Sequence, residues 1–224
     1  MRSATLEGKG LRLEIRFFDR IDSTQKRLYE DLKTGRVQAP IAYFSTLQTE
    51  GIGSRGNRWI GMEGNFYLSF AVERSELVSD LPLASASIYF SFLLKELLAK
   101  KGSKIWLKWP NDFFIETKKV GGCITQLRDG VLIVGIGLNL KVAPETFAVL
   151  DIEVDPKELV VAFLKQVECK ISWKQIFSKY RIEFQKSQDF SVHIGSKDRI
   201  SLREAHLAED GAIVIKGERI YSLR

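Results

Sequence analysis

The hydrophobic pattern changes period along the chain, and each change marks an element. Residues 11–17 alternate apolar and charged side chains, the two-residue period of a half-buried strand. They run into Asp22-Ser23-Thr24, where Asp22 or Ser23 is a natural N-cap. Leu28 and Leu32 then continue at helical spacing to a stop at Gly35. Residues 41–47 predict a second strand ending at Gln48. Residues 65–72 predict a third, with Phe66, Leu68 and Phe70 on one face and Tyr67, Ser69 and Ala71 on the other. From Pro82 to about Lys101 a helix is predicted, apolar nearly all round its first turns, as for a helix buried against a sheet. Residues 104–108 read as a strand halted at Pro110, which lacks the donor to continue a ladder. Residues 120–127 and 131–140 predict a hairpin about Asp129-Gly130. Residues 156–184 read as two helices broken near Ile171-Ser172, and short strands follow over 191–194, 200–207, 212–215 and 219–223. Residues 1–10 are polar and are expected to form a loose lead-in. The pattern predicts an α+β domain over residues 1–187 and a small barrel-like module over 188–224.

Four stretches are candidates for chemistry, the first three also open to plainer readings as a hairpin with solvated charges, a capped helix and a surface loop. In Lys108-Trp109-Pro110-Asn111-Asp112, an amide and a carboxylate sit at a strand end, and Lys118-Lys119-Val120-Gly121-Gly122 follows with two ammonium groups and a Gly-Gly pair. The strand-to-helix junction at Ser23-Thr24 leaves free N–H groups and small hydroxyls that can hold a polar ligand group. The loop from Glu50 to Trp59 combines Gly51, Gly53, Gly56, Arg55, Arg58, Asn57 and Trp59: backbone N–H groups for an anion, guanidinium forks and a flat aromatic face. It matches neither the Walker nor the Rossmann spacing. Gly135 and Gly137 bare one face of a strand, where a flat ligand has room, although tight packing on a helix would also demand glycine.

Composition narrows the class without choosing the function. The 224 residues are 45% hydrophobic and 28% charged, as in a soluble globular protein. No apolar run reaches membrane-spanning length and the start lacks a leader pattern, so a cytoplasmic protein without a membrane partner is expected. Cys123 and Cys169 are expected to be buried free thiols, and His193 and His206 lack ligand spacing, so no metal site is assigned. The net charge of +6 permits phosphate, nucleic-acid or acidic-protein partners, but the basic residues form no dense block.

Several segments together resemble the biotin protein ligases: Asp22-Ser23-Thr24-Gln25, Gln48 with its Gly-Arg loop, Gly64-Asn65-Phe66-Tyr67-Leu68-Ser69, Lys108–Asp112, Lys119-Val120-Gly121-Gly122, and Gly135-Ile136-Gly137-Leu138-Asn139. The Lys-Trp-Pro-Asn-Asp run followed by Lys-x-Gly-Gly is the most specific of these. The resemblance implies a mixed, mostly antiparallel sheet packed by helices, of class II synthetase type, with a C-terminal SH3-like β-barrel. It implies that biotin and ATP form biotinyl-adenylate with Mg²⁺, and that a lysine of the biotin carboxyl carrier protein of acetyl-CoA carboxylase then takes the biotin. Lys119 and Asp112 match catalytic positions. Ser23, Thr24, Gln25, Gln48, Gly51, Gly121, Gly122, Gly135 and Gly137 match biotin-side positions. Arg55, Arg58, Trp59, Asn111, Lys119, Asn139 and Arg224 are assigned to the nucleotide side.

The chain departs from the family where the loop commonly reads Gly-Arg-Gly-Arg, because Gly51-Ile52-Gly53-Ser54 stands there. Either Arg55 and Arg58 supply the missing contacts, or the adenylate is held less tightly. Some family members carry an N-terminal DNA-binding domain; this chain starts almost at the catalytic strand, so a monofunctional ligase without a DNA role is expected, and a homodimer is allowed. Two alternatives stand beside this reading: a lipoate or octanoate ligase or transferase of related fold, and a non-enzymatic basic binding module.

Overall fold

The alternating run after residue 11 folds as expected, and it forms part of a sheet that is larger than the pattern showed. The computed structural model describes residues 2–7, 12–193 and 199–221. In chain order its first strands are β1 (Arg2–Glu7), β2 (Arg12–Phe18), β3 (Ile41–Ser45), a small pair β4 (Gly51–Ile52) and β5 (Arg58–Trp59), and β6 (Phe66–Glu73). After them come β7 (Trp106–Lys108), β8 (Asp112–Ile115), β9 (Lys118–Arg128) and β10 (Val131–Leu138). Eight of these make one sheet in the order β1-β2-β3-β6-β10-β9-β8-β7. Only β2 and β3 run parallel, because helix α1 (Thr24–Lys33) carries the chain back between them. The sheet is therefore mixed and mostly antiparallel, as expected.

Strand alternation gives the sheet two faces. Phe66, Leu68, Phe70 and Val72 of β6 join the main core with α2 (Ala86–Lys100), α3 (Pro156–Glu168) and α4 (Trp173–Glu183). Ala71 of the same strand joins Leu28, Tyr43 and Ile133 beneath α1 on the other face. The buried first turns of α2 follow from its lack of a polar face. The helix break near Ile171-Ser172 is a capping box, in which Ser172 and Gln175 satisfy each other's free N–H groups. The hairpin at Asp129-Gly130 has both residues at positive φ, 47° and 82°, as a type I′ turn demands.

Three expectations change. Residues 2–7 are an edge strand paired with β2, not a loose lead-in: backbone pairing and the burial of Leu6 against Leu13 hold a segment whose polar composition hid it. Cys169 is exposed, because it caps the end of α3 instead of lying within it; Cys123 is buried. Among the described residues the terminal strands form no closed barrel. β11 (Ser191–His193) pairs with β12 (Arg199–Ser201), while β13 (His206–Leu207), β14 (Ile213–Ile215) and β15 (Glu218–Ile220) make a separate sheet. The strand expected over 200–207 is interrupted by a turn in which Ala205 N–H donates to the Leu202 carbonyl at 3.0 Å.

The terminal sheets share the main core through Val192, Leu202, Ala205 and Ile213, and one turn adds hydrogen bonds to the main domain. Trp109 Nε1 donates to the Gly211 carbonyl at 2.9 Å, Trp173 Nε1 donates to the Glu209 carbonyl at 2.8 Å, and Ser85 Oγ donates to the Asp210 carbonyl. Trp109 N–H also donates to Ser187 Oγ at 3.0 Å, inside the 3-10 turn Phe184–Asp189 where the domain boundary was expected.

Candidate active site

A cavity of about 360 Å³ opens on the α1 face of the sheet. It gathers residues from distant segments: the α1 N-terminus, the 48–59 loop, Ser69 of β6, the starts of β8 and β9, the glycines of β10, and Phe147.

The α1 end is built from small polar side chains. Ser23 caps the helix, its Oγ accepting from Lys26 N–H at 3.3 Å. Ile21 N–H donates to the Leu47 carbonyl at 3.2 Å, which brings this junction beside Gln48. Gln48 Oε1 then accepts from the Thr24 backbone N–H at 2.7 Å and from Thr24 Oγ1 at 3.0 Å. Thr24 Oγ1 lies 2.9 Å from Ser69 Oγ. The result is a buried polar chain, Gln48–Thr24–Ser69, in which every member lines the cavity.

The floor is the bare face of β10, but the protein covers it with its own side chains. A Cβ at Gly135 would lie 2.5 Å from Gln25 Oε1, and one at Gly137 would lie 3.2 Å from Trp59 Cε2. The open ledge expected at these glycines is thus occupied by an amide and an indole, since a flat backbone surface suits planar groups from within the chain as well as from outside. Gln25 Oε1 is buried without a hydrogen-bond partner among the described residues.

Opposite stands the ion pair of the site. Lys119 Nζ lies 2.7 Å from Asp112 Oδ1, and 5.8 Å from the centre of the Trp59 ring. Antiparallel pairing of β8 with β9 sets Asp112 across from Gly122, and the register shift between Phe113 and Phe114 brings Phe114 across from Lys119. A Cβ at Gly122 would sit 3.3 Å from Asp112 Oδ1 and 3.6 Å from Lys119 Nζ, so glycine there keeps room for the pair. Asn111 is buried beside it. Its Nδ2 donates to the Cys123 carbonyl, while Oδ1 is buried without a partner among the described residues. Burial pushes the Cys123 thiol up to about 12, which leaves it an inert wall atom.

The 48–59 loop folds as the β4–β5 pair around a 3-10 turn, Ser54–Gly56, closed by Gly53 N–H donating to the Asn57 carbonyl at 2.7 Å. Ile52, Ser54 and Arg58 line the cavity. Arg58 Nη2 donates to the Thr49 carbonyl at 3.0 Å. Arg55 lies on the 3-10 turn.

The cavity thus brings together Ser23, Thr24, Gln25, Gln48, Arg58, Trp59, Asn111, Asp112, Lys119, Gly122, Gly135 and Gly137. Three expected residues do not line it. Gly51 packs on Trp59, whose carbonyl a Cβ would meet at 2.6 Å, and Gly121 packs on β10, with the Gly137 carbonyl at 2.3 Å from such a Cβ. Asn139 is buried as a brace, Nδ2 donating to the Ala148 carbonyl at 3.2 Å. Arg224 lies outside the described residues. Lys108 packs over the rings of Phe114 and Phe190 at 5.3 and 5.5 Å, and takes no part in the cavity.

Sequence reasoning missed two lining residues in particular. Ser69 was placed on the correct strand face by alternation, and the polarity of that position was the available signal. Phe147 comes from residues 141–155, which have no periodicity; its ring meets Trp59 edge-on at 6.1 Å. Among the described residues no group of three or more His, Cys, Asp or Glu is placed to hold a metal ion, and no helix is long and apolar enough to cross a membrane.

This sheet, with one helix over the cavity and three behind it, is the fold of a biotin-ligase catalytic domain. The chain belongs to the biotin/lipoate A/B protein ligase family, whose pattern it matches over residues 17–142. It superposes with a TM-score of 0.88 on the biotin acetyl coenzyme A carboxylase synthetase of Helicobacter pylori with bound biotinylated ATP, at 40% identity over 92% of this chain and 98% of that one. The Aquifex aeolicus biotin protein ligase in complex with biotin and ATP gives a TM-score of 0.75 at 26% identity, over 94% and 95% of the two chains. In sequence it is 28% identical over 129 residues to the bifunctional ligase/repressor BirA of Escherichia coli, which is 54% of this chain and 38% of that relative. The chain therefore matches well under half the length of that bifunctional protein.

Proposed function

We propose that this protein activates biotin with ATP as biotinyl-5′-AMP and transfers it to one lysine of a biotin carboxyl carrier protein, that of acetyl-CoA carboxylase. The observation that carries the reading is one cavity holding the Gln48–Thr24–Ser69 polar chain at one side and the Lys119–Asp112 pair at the other. A biotin ureido ring has two N–H donors and a carbonyl acceptor, all needing partners once buried. The hydroxyls of Ser23, Thr24 and Ser69, and the orphan Gln25 Oε1, are suited to supply them.

In the first step a carboxylate oxygen attacks the α-phosphorus and the bond to pyrophosphate breaks. Two anions must approach, and Lys119, a cation lining the cavity, is assigned to screen both. In the second step the acceptor amine attacks the acyl carbonyl and the bond to AMP breaks. Asp112 orients that amine and accepts its proton. Asn111 and Trp59 take the nucleotide side. Asn139 serves indirectly, by bracing the loop that carries Phe147. The ligase domain is assigned to residues 1–187 and the terminal module to residues 188–224, and Arg224 stays a nucleotide-side residue by resemblance alone.

Mg²⁺ fits this cavity poorly as a protein-held ion. Among the described residues Asp112 is the carboxylate lining it, and it is already paired with Lys119. Any Mg²⁺ therefore arrives with the ATP phosphates. The cytoplasm is the proposed compartment.

Labelled biotin with ATP and a carrier domain should mark a single lysine, and omission of ATP should abolish the mark. Labelling by lipoate or octanoate in place of biotin would overturn the reading, because neither has a ureido ring to use the polar chain.

The loop makes a separate prediction. With Ile52 and Ser54 at the usual arginine positions, Arg58 is the described cation of the loop that faces the cavity, and Arg55 is its neighbour. Removing a guanidinium that grips a phosphate costs about 1.5–3 kcal/mol. Arg58→Ala should accordingly release biotinyl-adenylate about tenfold faster or more in a trapping assay, and Arg55→Ala should add to the loss. Unchanged release in both variants would show that the loop holds the adenylate without them.

A further inference from the structure

A second cavity, of about 150 Å³, lies on the far side of the sheet from the candidate active site. Strand alternation separates the two: Ser69 of β6 borders the first, and its chain neighbour Phe70 borders the second. Phe70 and Val72 form its floor, Phe90 of α2 and Leu164 of α3 its walls, and Leu77 and Val78 its lid. An apolar cavity of this volume has room for a body about as large as benzene.

Its rim carries a few polar groups, and all but one are engaged. The Tyr89 hydroxyl donates to the Ile171 carbonyl at 2.7 Å. Lys170 Nζ pairs with Glu76 Oε2 at 2.9 Å. Glu168 is the exception, because its Oε1 is buried with no hydrogen-bond partner among the described residues. Glu168 is also the last residue of α3, where the helix presents its own partial negative charge. A carboxylate at that end repels the helix carbonyls, one of its oxygens lacks a donor, and a cation beside it would relieve both conditions.

We propose that this cavity is a second binding site, for a small amine with an apolar body of about benzene size. The body lies between β6, α2 and α3, and the ammonium meets Glu168. Entry passes the Glu76–Lys170 bridge, whose side chains are about half exposed, at 47% and 52%. A pair that open to water contributes less than about 1 kcal/mol, so it parts readily.

The test is a titration of the full chain with benzylamine and with toluene, read by backbone amide shifts. Both probes should move Leu77, Val78 and residues 164–168 and leave Thr24, Gln48 and Lys119 in place. Benzylamine should bind about tenfold more tightly than toluene, the margin expected for one charge-assisted hydrogen bond. Glu168→Gln should erase that margin, and Val167→Phe, which fills the mouth, should abolish both shifts. The proposal is overturned if neither probe shifts those amides at millimolar concentration. Shifts that centre on the other cavity, equal affinities for the two probes, or a margin that survives Glu168→Gln would overturn it too. The wild-type titration decides the matter even if a variant fails to fold.

Discussion

Lys119→Ala should lower biotin-dependent pyrophosphate release by about a hundred- to a thousandfold while leaving the fold intact. The size follows from the loss of one fixed group aimed at charge that develops in the transition state, worth roughly 3–4 kcal/mol. Stability should barely move. Among the described residues Lys119 forms its ion pair with Asp112, the two side chains are 29% and 21% exposed, and partly exposed pairs contribute about 0–1 kcal/mol. The matching substitution separates the two half-reactions. Asp112→Ala should leave pyrophosphate release within a few-fold of normal and slow transfer to the carrier, since its assigned partner is the incoming amine. A drop of less than fivefold for Lys119→Ala would remove Lys119 from the first step, and equal losses in both half-reactions for Asp112→Ala would remove the division of labour.

Trp109→Ala should cost the most stability of any single change near the site, about 3–5 kcal/mol. Trp109 is fully enclosed, its indole ties the Gly211 turn to the sheet domain, and its backbone N–H holds Ser187. For a chain of this size the loss corresponds to roughly 6–20 °C in melting temperature. Trp109→Phe keeps most of the volume and leaves the Gly211 carbonyl without its donor, so it should cost only about 1–3 kcal/mol. Calorimetric melting of the two variants distinguishes packing from the hydrogen bond. Equal, small shifts would mean that the terminal sheets are held by something else.

The sequence disclosed most readily what periodicity and turn chemistry control. Strand β6, the two helices after residue 156 and the Asp129-Gly130 hairpin each lie within a residue or two of the reading. Long-range partners did not show. The pattern placed Ser69 on a face without indicating that Thr24, from another segment, would meet it at 2.9 Å. It marked Gly121, Gly122, Gly135 and Gly137 as alike, yet Gly122 makes room for an ion pair while Gly121 is a packing contact between strands. The same residue type serves close approach to a ligand and close approach to a neighbouring strand, and only the register tells them apart. The edge strand at residues 2–7 was lost because its polar composition outweighed its pairing, and Phe147 because an irregular loop has no period to read.

The ledge at Gly135 and Gly137 makes the cavity a competitor for its own visitors. Gln25 and Trp59 lie on it, so a ring arriving there exchanges contacts the protein already makes for new ones. The observed affinity is then the intrinsic affinity multiplied by the fraction of molecules in which the ledge is clear. A molecule that offers only a flat face gains no more than the indole it displaces. One that also engages the polar chain or Lys119 gains the difference. The two side chains thus set a threshold that a flat face alone does not pass.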